Sequence, residues 1–543
     1  MYNLLVTINR TEDAMTEKYE KFSDLIFYQI YPRSFKDSNN DGVGDIRGII
    51  QKIPYLCELG VNAVWLSPFY KSPCNDGGYD ISDYRAIQEE FGTMEDFRLM
   101  LDTFHENGIK VIVDFVPNHT STEHFWFKEA RKSPTSPYRD FYIWADKPLN
   151  DWVACCESAW KYDDEAGQYY LHCFDPTQAD LNWENPRVRE EMRNVLDFWI
   201  DMGVDGFRCD VIDMICKDWE ANRMNKGPNL HKYINELFGR EKCAHIFTVG
   251  ECWGANVENI RNLTAEDRGE LSTVFQFEHI NRNCTGRFEP KKSFSLSEFR
   301  EIFAKWQRIT EENGLLYTLF IENHDQGRCI SRFANDGALR EQSATMFATM
   351  LYGMRGIPFI YQGQELGIRN PYFDKIEDFD DMETTAFHRA YKDLLDRDEL
   401  FRLMNFGSRD NARHPMPWNA YANGGFNEGA KTWLAPYPDY AEVNAEEQMN
   451  RVGSVFHYYK ELIALRKRSD VLRRGSFTDV TGEANGYFAY EREHNGEKLL
   501  VICNFDKESN IPLPEKRELL LGNYRGHDTE AFAPYESRIY KVM

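Results

Sequence analysis

Lys110-Val-Ile-Val-Asp-Phe-Val-Pro-Asn-His119 decides the fold. Its short apolar run reads as a buried strand, and it ends on polar groups. Three further segments repeat the plan: Gly206-Phe-Arg-Cys-Asp210, Gly250-Glu-Cys-Trp253 and Glu322-Asn-His-Asp325. Outward from these, strand-like runs recur at Ile26–Tyr31, Ala63–Ser67, Lys110–Val116, Asp205–Arg208, Ile246–Val249, Val274–Phe277, Tyr317–Ile321 and Ile357–Tyr361. Between them, segments such as Ile46–Leu59, Met94–Glu106, Val188–Met202 and Phe299–Glu312 carry apolar residues at helical spacing. Eight strands alternating with helices predict an α/β protein built on a (β/α)8 TIM barrel. An open doubly wound sheet is the alternative, but no Gly-x-Gly-x-x-Gly follows an early strand.

Two interruptions divide the pattern. Residues 118–187, after the third strand, lack a long amphipathic helix and are rich in aromatics, Pro, Asp and Asn. They read as an inserted irregular domain able to wall a cleft. Residues 368–450, after the eighth strand, hold Gly, Asn and Pro clusters among short helices, a second elaboration of the same mouth. The barrel thus spans 15–117 and 188–470. From 471 to 543, alternating segments such as Lys498–Cys503 predict a C-terminal antiparallel β-sandwich. Residues 1–14 are expected to form a disordered extension.

The 543-residue chain carries 64 Lys and Arg against 88 Asp and Glu, a net charge of −24. Nucleic acid and anionic membranes are disfavoured as partners, because both demand basic patches. An aromatic content of 14% suits a cleft that stacks on sugar faces as well as a large core. No apolar stretch approaches the roughly 18 residues of a membrane span, and no signal peptide is evident. Twelve cysteines without a Cys-x-x-Cys pair read as reduced thiols of a cytoplasmic protein.

A barrel that gathers strand ends around one mouth would bring Asp210, Glu251 and Asp325 together, and paired carboxylates at a cleft are what acid-catalysed glycoside cleavage requires. Arg208 lies two residues before Asp210 and points to the same side of the strand, which favours the ionised carboxylate a nucleophile needs. A structural Asp–Arg pair would look the same. The apolar, aromatic flanks of Glu251 suit a general acid, though alone it could be a helix N-terminal glutamate. Asp325 follows a strand with a histidine and an arginine close by, and a third carboxylate there could steady positive charge at the anomeric carbon. His119 and His324 occupy strand ends where imidazoles can bind hydroxyls, and no zinc-type spacing accompanies them. Asp37-Ser-Asn-Asn-Asp-Gly-Val-Gly-Asp45 alternates oxygen ligands around a glycine, like half an EF-hand loop, but Gly48 stands where the twelfth-position Glu would be. A cation loop of Asp37, Asn39, Asp41, the Val43 carbonyl and Asp45 is expected.

Together these segments resemble the α-amylase superfamily of retaining glycoside hydrolases over nearly the whole chain. Asp76-Gly-Gly-Tyr-Asp-Ile-Ser-Asp-Tyr84, Gln178-Ala-Asp-Leu-Asn-Trp-Glu-Asn185 and Ser408-Arg-Asp-Asn-Ala-Arg413 are similar to the oligo-1,6-glucosidase and dextran-glucosidase branch. The resemblance implies Asp210 as nucleophile, Glu251 as acid/base and Asp325 as transition-state stabiliser. It implies His119, Arg208 and His324 around the non-reducing glucose, Tyr79 stacked on its face, and Asp76 with Arg413 gripping its far hydroxyl. It implies calcium at Asp37–Asp45, no organic cofactor, and Val211 as a mark of α-1,6 preference. Ala179, Gly327 and His414-Pro-Met-Pro-Trp-Asn419 depart from the branch and leave the acids intact.

The implied reaction is exo-acting release of glucose from isomaltose-type oligosaccharides by double displacement, with the two carboxyls about 5–5.5 Å apart. Trehalose-6-phosphate hydrolase, sucrose isomerase and α-1,4-glucosidase are the alternatives within the class, and a non-catalytic binding subunit the alternative outside it. The expected partner is a small oligosaccharide, with the protein a monomer or homodimer.

Overall fold

The computed structural model describes residues 17–291, 294–483, 486–505 and 507–543, so the extension expected over 1–14 lies outside the described residues. Eight strands form one sheet: β1 (Phe27–Ile30), β2 (Ala63–Leu66), β3 (Lys110–Phe115), β4 (Gly206–Cys209), β5 (Phe247–Glu251), β6 (Thr273–Phe275), β7 (Thr318–Leu319) and β8 (Ile357–Tyr361). Each overlaps one of the eight apolar runs. They pair in parallel in the order β6-β5-β4-β3-β2-β1-β8-β7. At the seam between β6 and β7, threonine hydroxyls link the two sides. Thr273 Oγ1 donates to the Leu316 carbonyl at 3.1 Å, and Thr318 Oγ1 to the Val274 carbonyl at 3.0 Å. Aromatic rings fill the interior, with Phe27 stacked on Phe359 at 4.5 Å and Trp65 on Phe275 at 5.6 Å. At Gly206, where β4 enters the barrel, a Cβ would stand 2.1 Å from the Phe247 carbonyl oxygen, so only glycine lets β4 and β5 close up.

The helices that follow the strands are α1 (Ile46–Leu59), α2 (Met94–Glu106), α3 (Pro186–Met202), α4 (Leu230–Phe238), α5 (Ile260–Thr264), α6 (Leu296–Glu312), α7 (Arg340–Tyr352) and α8 (Val455–Arg468). Local chemistry sets their ends. Asp45 caps α1 and Gly60 closes it at φ 92°, while Thr93 and Asp96 form a reciprocal capping box on α2. The sequence pattern starts α3 at Val188 and α6 at Phe299. Caps at Asn185 and Ser295 extend both toward the N-terminus, and Pro186 is tolerated in the first turn of α3.

Between β3 and α3 the chain leaves the barrel and returns. This insertion holds one eight-residue helix, Phe125–Lys132, and a three-stranded antiparallel sheet of Trp144–Ala145, Gln168–Leu171 and Trp160–Asp163. It has a core of its own around Trp152, Trp160 and Leu171. A ribbon of His119–Ser121 with Gln178–Asp180 ties it to the mouth. After β8, helices Met382–Tyr391 and Arg397–Gly407 pack with Phe288, Phe373 and Phe379 into another small core. The C-terminal part is a five-stranded antiparallel sheet, covered on one face by the ribbon Ser509–Asn510 with Ala531–Phe532. It is also fastened to α7 by the Tyr490 hydroxyl, which donates to the Met350 carbonyl at 2.7 Å.

Thr318→Val keeps the shape of the side chain and removes one seam hydrogen bond. It should destabilise the barrel by about 1–3 kcal/mol, read as a lower urea midpoint with unchanged far-UV circular dichroism.

Candidate active site

β4 supplies the centre of the site. Arg208, 2% exposed, lies inside the barrel. Its guanidinium meets Asp210 from β4 at 2.7 Å, Asp114 from the end of β3 at 2.5 Å, and Glu251 from β5. The fourth and fifth strand ends are therefore bridged by one cation. The chain turns sharply after Asp210. Val211 takes φ 35° and ψ 43°, a left-handed conformation costly for a β-branched residue. In that conformation its N–H donates to Glu251 Oε2 at 3.3 Å. The Trp253 indole N–H donates to Glu251 Oε1 at 3.0 Å, so both oxygens of this carboxyl are held.

β7 leads to the opposite wall. Arg413 donates to Asp325 at 2.6 Å, and His324 Nε2 lies 3.4 Å from the same carboxyl. The Gln29 amide donates to His324 Nδ1 at 2.8 Å, which leaves the ring proton on Nε2, 2.7 Å from the Tyr79 hydroxyl. Arg208 also reaches that hydroxyl at 3.3 Å. A run of polar contacts thus leads from Asp325 through His324, Tyr79 and Arg208 to the Asp210–Glu251 pair, and the three acids line a common mouth. The ring of Tyr79 lies parallel to His324, centroids 5.4 Å apart. Beside Asp325 and Trp253 opens a cavity of about 270 Å³ that Asn281, Arg287, Gln326 and Arg332 also line.

Burial pushes the Asp210 carboxyl well above its usual range. Arg208 pulls it back, and the charges of Glu251, Asp114 and Asp325 push it up again. The sequence led us to expect Arg208 to dominate. The guanidinium is in place, but one cation is divided among three acids. Burial likewise takes Asp114 to about 6 against the pull of Arg208. Asp325 goes the other way: burial opposes its ionisation, but His324, Arg413, Arg409 and Arg287 together hold it well below the usual carboxylate range. Burial lowers His119 to about 4 and His324 to about 3, so both rings are neutral at physiological pH.

Two arginines arrange the far end of the pocket. Asp76 is paired at 2.8 Å with Arg409, and Arg413 grips Asp325 instead. The reason lies in Asp381, which accepts from Arg409 Nε at 2.8 Å and from the Arg409 backbone N–H at 3.0 Å, and so fixes that guanidinium toward Asp76. Gln178, from the inserted domain, places its amide nitrogen 3.0 Å from Asp76 and 3.2 Å from His119 Nε2. Sequence reasoning missed Asp114, Gln178 and Arg409 as site residues. Each lies in one of the motif-bearing segments, and Asp114 stands near the end of its strand much as Asp210 stands just past the end of β4.

The loop expected to hold a cation folds as successive tight turns. Asp37 accepts from the N–H groups of Asn40 at 2.6 Å and Gly42 at 2.9 Å, and from the Asn427 amide at 3.0 Å. Asn39 accepts from the Asp41 N–H at 2.9 Å, and Asp41 from the Val43 N–H at 2.9 Å. Asp45 is occupied by the Gly48 N–H at 2.6 Å and the Ser38 N–H at 2.7 Å. The donors are all oxygen, the chemistry of a hard cation. Among the described residues, no three acid, histidine or cysteine side chains converge as a ready-made metal cluster.

The alpha-amylase catalytic-domain family matches residues 29–475. An oligo-1,6-glucosidase of Parageobacillus thermoglucosidasius is 43% identical, covering 96% of this chain and 99% of its own. Among solved structures, the trehalose-6-phosphate hydrolase of Bacillus licheniformis superposes with a TM-score of 0.90 at 40% identity, covering 96% of this chain and 99% of its own. The isomaltulose synthase of Klebsiella sp. LX3 superposes at 0.92 with 37% identity and the same coverages.

His324 provides a pH test of the wall it builds. Its ring protonates near 3 in the folded protein against an ordinary 6.5, so on acidification the unfolded chain takes the proton first. The stability advantage of wild type over His324→Gln should therefore shrink as pH falls from 6.5, by about 1.4 kcal/mol per pH unit, in urea titrations at successive pH values.

Proposed function

The chain belongs to the alpha-amylase family, and we propose that within it the protein is an exo-acting retaining α-glucosidase that releases glucose from short α-1,6-linked oligosaccharides. One observation carries the reading: a single guanidinium, Arg208, bridges the carboxyls of Asp210 and Glu251, which makes them the close neighbours that double displacement uses. Glu251 protonates the leaving oxygen while Asp210 attacks the anomeric carbon. Glu251 then takes a proton from water, and the glucosyl–enzyme bond is cleaved. Asp325, kept anionic by its basic neighbours, faces the positive charge that develops at the ring. The same developing charge favours the anion of Asp210 as the transition state forms, so the raised proton affinity of the empty pocket opposes the ground state more than the reaction.

Exo action is supported by the far end, where Asp76, Arg409, Gln178 and His119 are joined by hydrogen bonds and an ion pair into a polar wall suited to hydroxyl recognition. Preference for α-1,6 bonds is supported by Val211 beside the nucleophile and by the similarity to the oligo-1,6-glucosidase. A second reading, a hydrolase whose leaving group bears phosphate, has one observation in its favour. Arg332 lines the leaving-group cavity and meets Gln326, Asn283 and the Ile280 carbonyl, with no carboxylate recorded as its ion-pair partner among the described residues. The twelve unpaired thiols support a reducing, cytoplasmic setting. No helix among the described residues is long and apolar enough to cross a membrane.

Isomaltose, panose, maltose, sucrose and trehalose 6-phosphate assayed side by side, with NMR detection of the first product anomer, test the assignment. The highest kcat/KM is expected on isomaltose, with α-glucose formed first. A preference for trehalose 6-phosphate would select the second reading, and β-glucose would exclude retention. Asp210→Asn should lower kcat on the order of 10⁴-fold or more while leaving the circular dichroism unchanged; wild-type-like turnover would remove Asp210 from its role.

Calcium is proposed for the loop of Asp37, Asn39, Asp41, the Val43 carbonyl and Asp45, as a structural ion away from the catalytic acids. Calcium should raise the thermal unfolding midpoint and a chelator should lower it. Asp41→Ala should erase the difference, and equal midpoints for wild type with and without calcium would refute the site.

A further inference from the structure

Asp213 is a buried carboxyl that double displacement leaves unused. It sits three residues after Asp210, on the short turn Ile212–Met214, and is 2% exposed. Its Oδ2 accepts the Gly254 N–H at 2.8 Å and faces the Asn225 amide at 3.4 Å. Its Oδ1 is buried with no hydrogen-bond partner. Gly254 belongs to the turn that carries Glu251 out of β5. A Cβ there would stand 2.8 Å from Asp213 Oδ2 and 1.8 Å from Lys226 Cε, so the backbone is clasped between the two side chains. Within the same turn the Trp253 indole donates to Glu251 at 3.0 Å, while its ring stacks on Phe277 at 4.1 Å. Asp213 thus anchors one end of the turn that aims Trp253.

A residue needed only to tie down Gly254 requires one acceptor, and asparagine offers that with an amide in place of the second oxygen. A buried carboxylate oxygen without a partner is costly. Its presence therefore points to a use for the charge. We propose that Asp213 is a positioning residue for the acid/base: through Gly254 it fixes the turn that sets the Trp253 indole on Glu251, and its negative charge acts on Glu251 during proton transfer. The inference rests on Glu251 being the acid/base.

The groups facing this pair are few. Glu251 and Cys252 come from β5 and its exit, and Lys226 from the loop after the turn. Arg208 and Asp210 lie on the other side of Glu251. Burial raises Asp213 to about 6, the Gly254 N–H and Lys226 pull it down, and the charge of Glu251 pushes it up. A negative charge held beside the acid of the reaction favours its protonated form, so loss of the Asp213 charge should shift the alkaline limb of the pH–rate profile toward lower pH.

Two variants separate this from a purely structural role. Asp213→Asn keeps an acceptor and removes the charge; its kcat/KM profile on isomaltose should show the alkaline limb displaced downward by about half a pH unit or more, with the optimum rate changed less than about threefold. Asp213→Ala also releases the turn. Its kcat/KM should fall about tenfold or more on isomaltose but less than about threefold on p-nitrophenyl α-glucoside, whose leaving group departs without protonation. Circular dichroism and urea midpoints identify any loss caused by misfolding. A wild-type pH profile in the Asn variant, or equal losses on both substrates in a folded Ala variant, would overturn the proposal while leaving the glucosidase assignment standing. Wild-type inactivity on both substrates would overturn that assignment and this inference with it.

Discussion

A guanidinium deep in a barrel and faced by three carboxylates is the constraint around which this site is arranged. Arg208 cannot lose its charge, and in the interior it must be paired. β3, β4 and β5 carry these acids at or just past their ends: Asp114 pairs in register with Arg208 itself, and Asp210, the residue after β4, comes level with Glu251. The arrangement leaves an excess of negative charge that a cation-like sugar can relieve. The cost of burying acids in the empty pocket thus becomes, in part, selectivity for the reacting state over the resting one.

The opposite wall follows a different rule. Asp325 is surrounded by basic groups, so it remains anionic where Asp210 resists ionisation. Two carboxyls on one mouth therefore behave differently because one shares its cation and the other is given several. Arg409 joins these walls to the roof. It touches Asp76 from the β2 side and Asp381 from the segment after β8, while Gln178 reaches Asp76 and His119 from the insertion. The two elaborations that interrupt the barrel pattern meet at Asp76.

How much of this was legible in sequence depended on which physics wrote each element. The strands were readable because a sheet buried on both faces needs unbroken apolar runs. α1 and α2 were readable because one face meets water. α7 was not singled out: it is buried at every position from Ser343 to Tyr352, which removes the polar face that marks a surface helix. Asp210, Glu251 and Asp325 were visible as acids terminating apolar runs. Arg409 was not singled out beside Arg413 because the two stand four residues apart on one short turn, so spacing cannot say which acid each will meet. Gln178 was invisible for another reason, since its contacts arise from the pairing of Gln178–Asp180 with His119–Ser121, a register set by tertiary structure.

Val211 binds two properties that a protein engineer would prefer to adjust separately. It directly follows Asp210, and its backbone occupies a region of dihedral space that β-branched residues avoid. Glycine would relax the main chain while vacating the wall of the pocket, and a bulkier replacement would reshape the wall while inheriting the torsional penalty. Libraries randomised at this codon will therefore mix changes in the shape of the wall with changes in heat tolerance, and neither readout can be ranked until the other has been factored out.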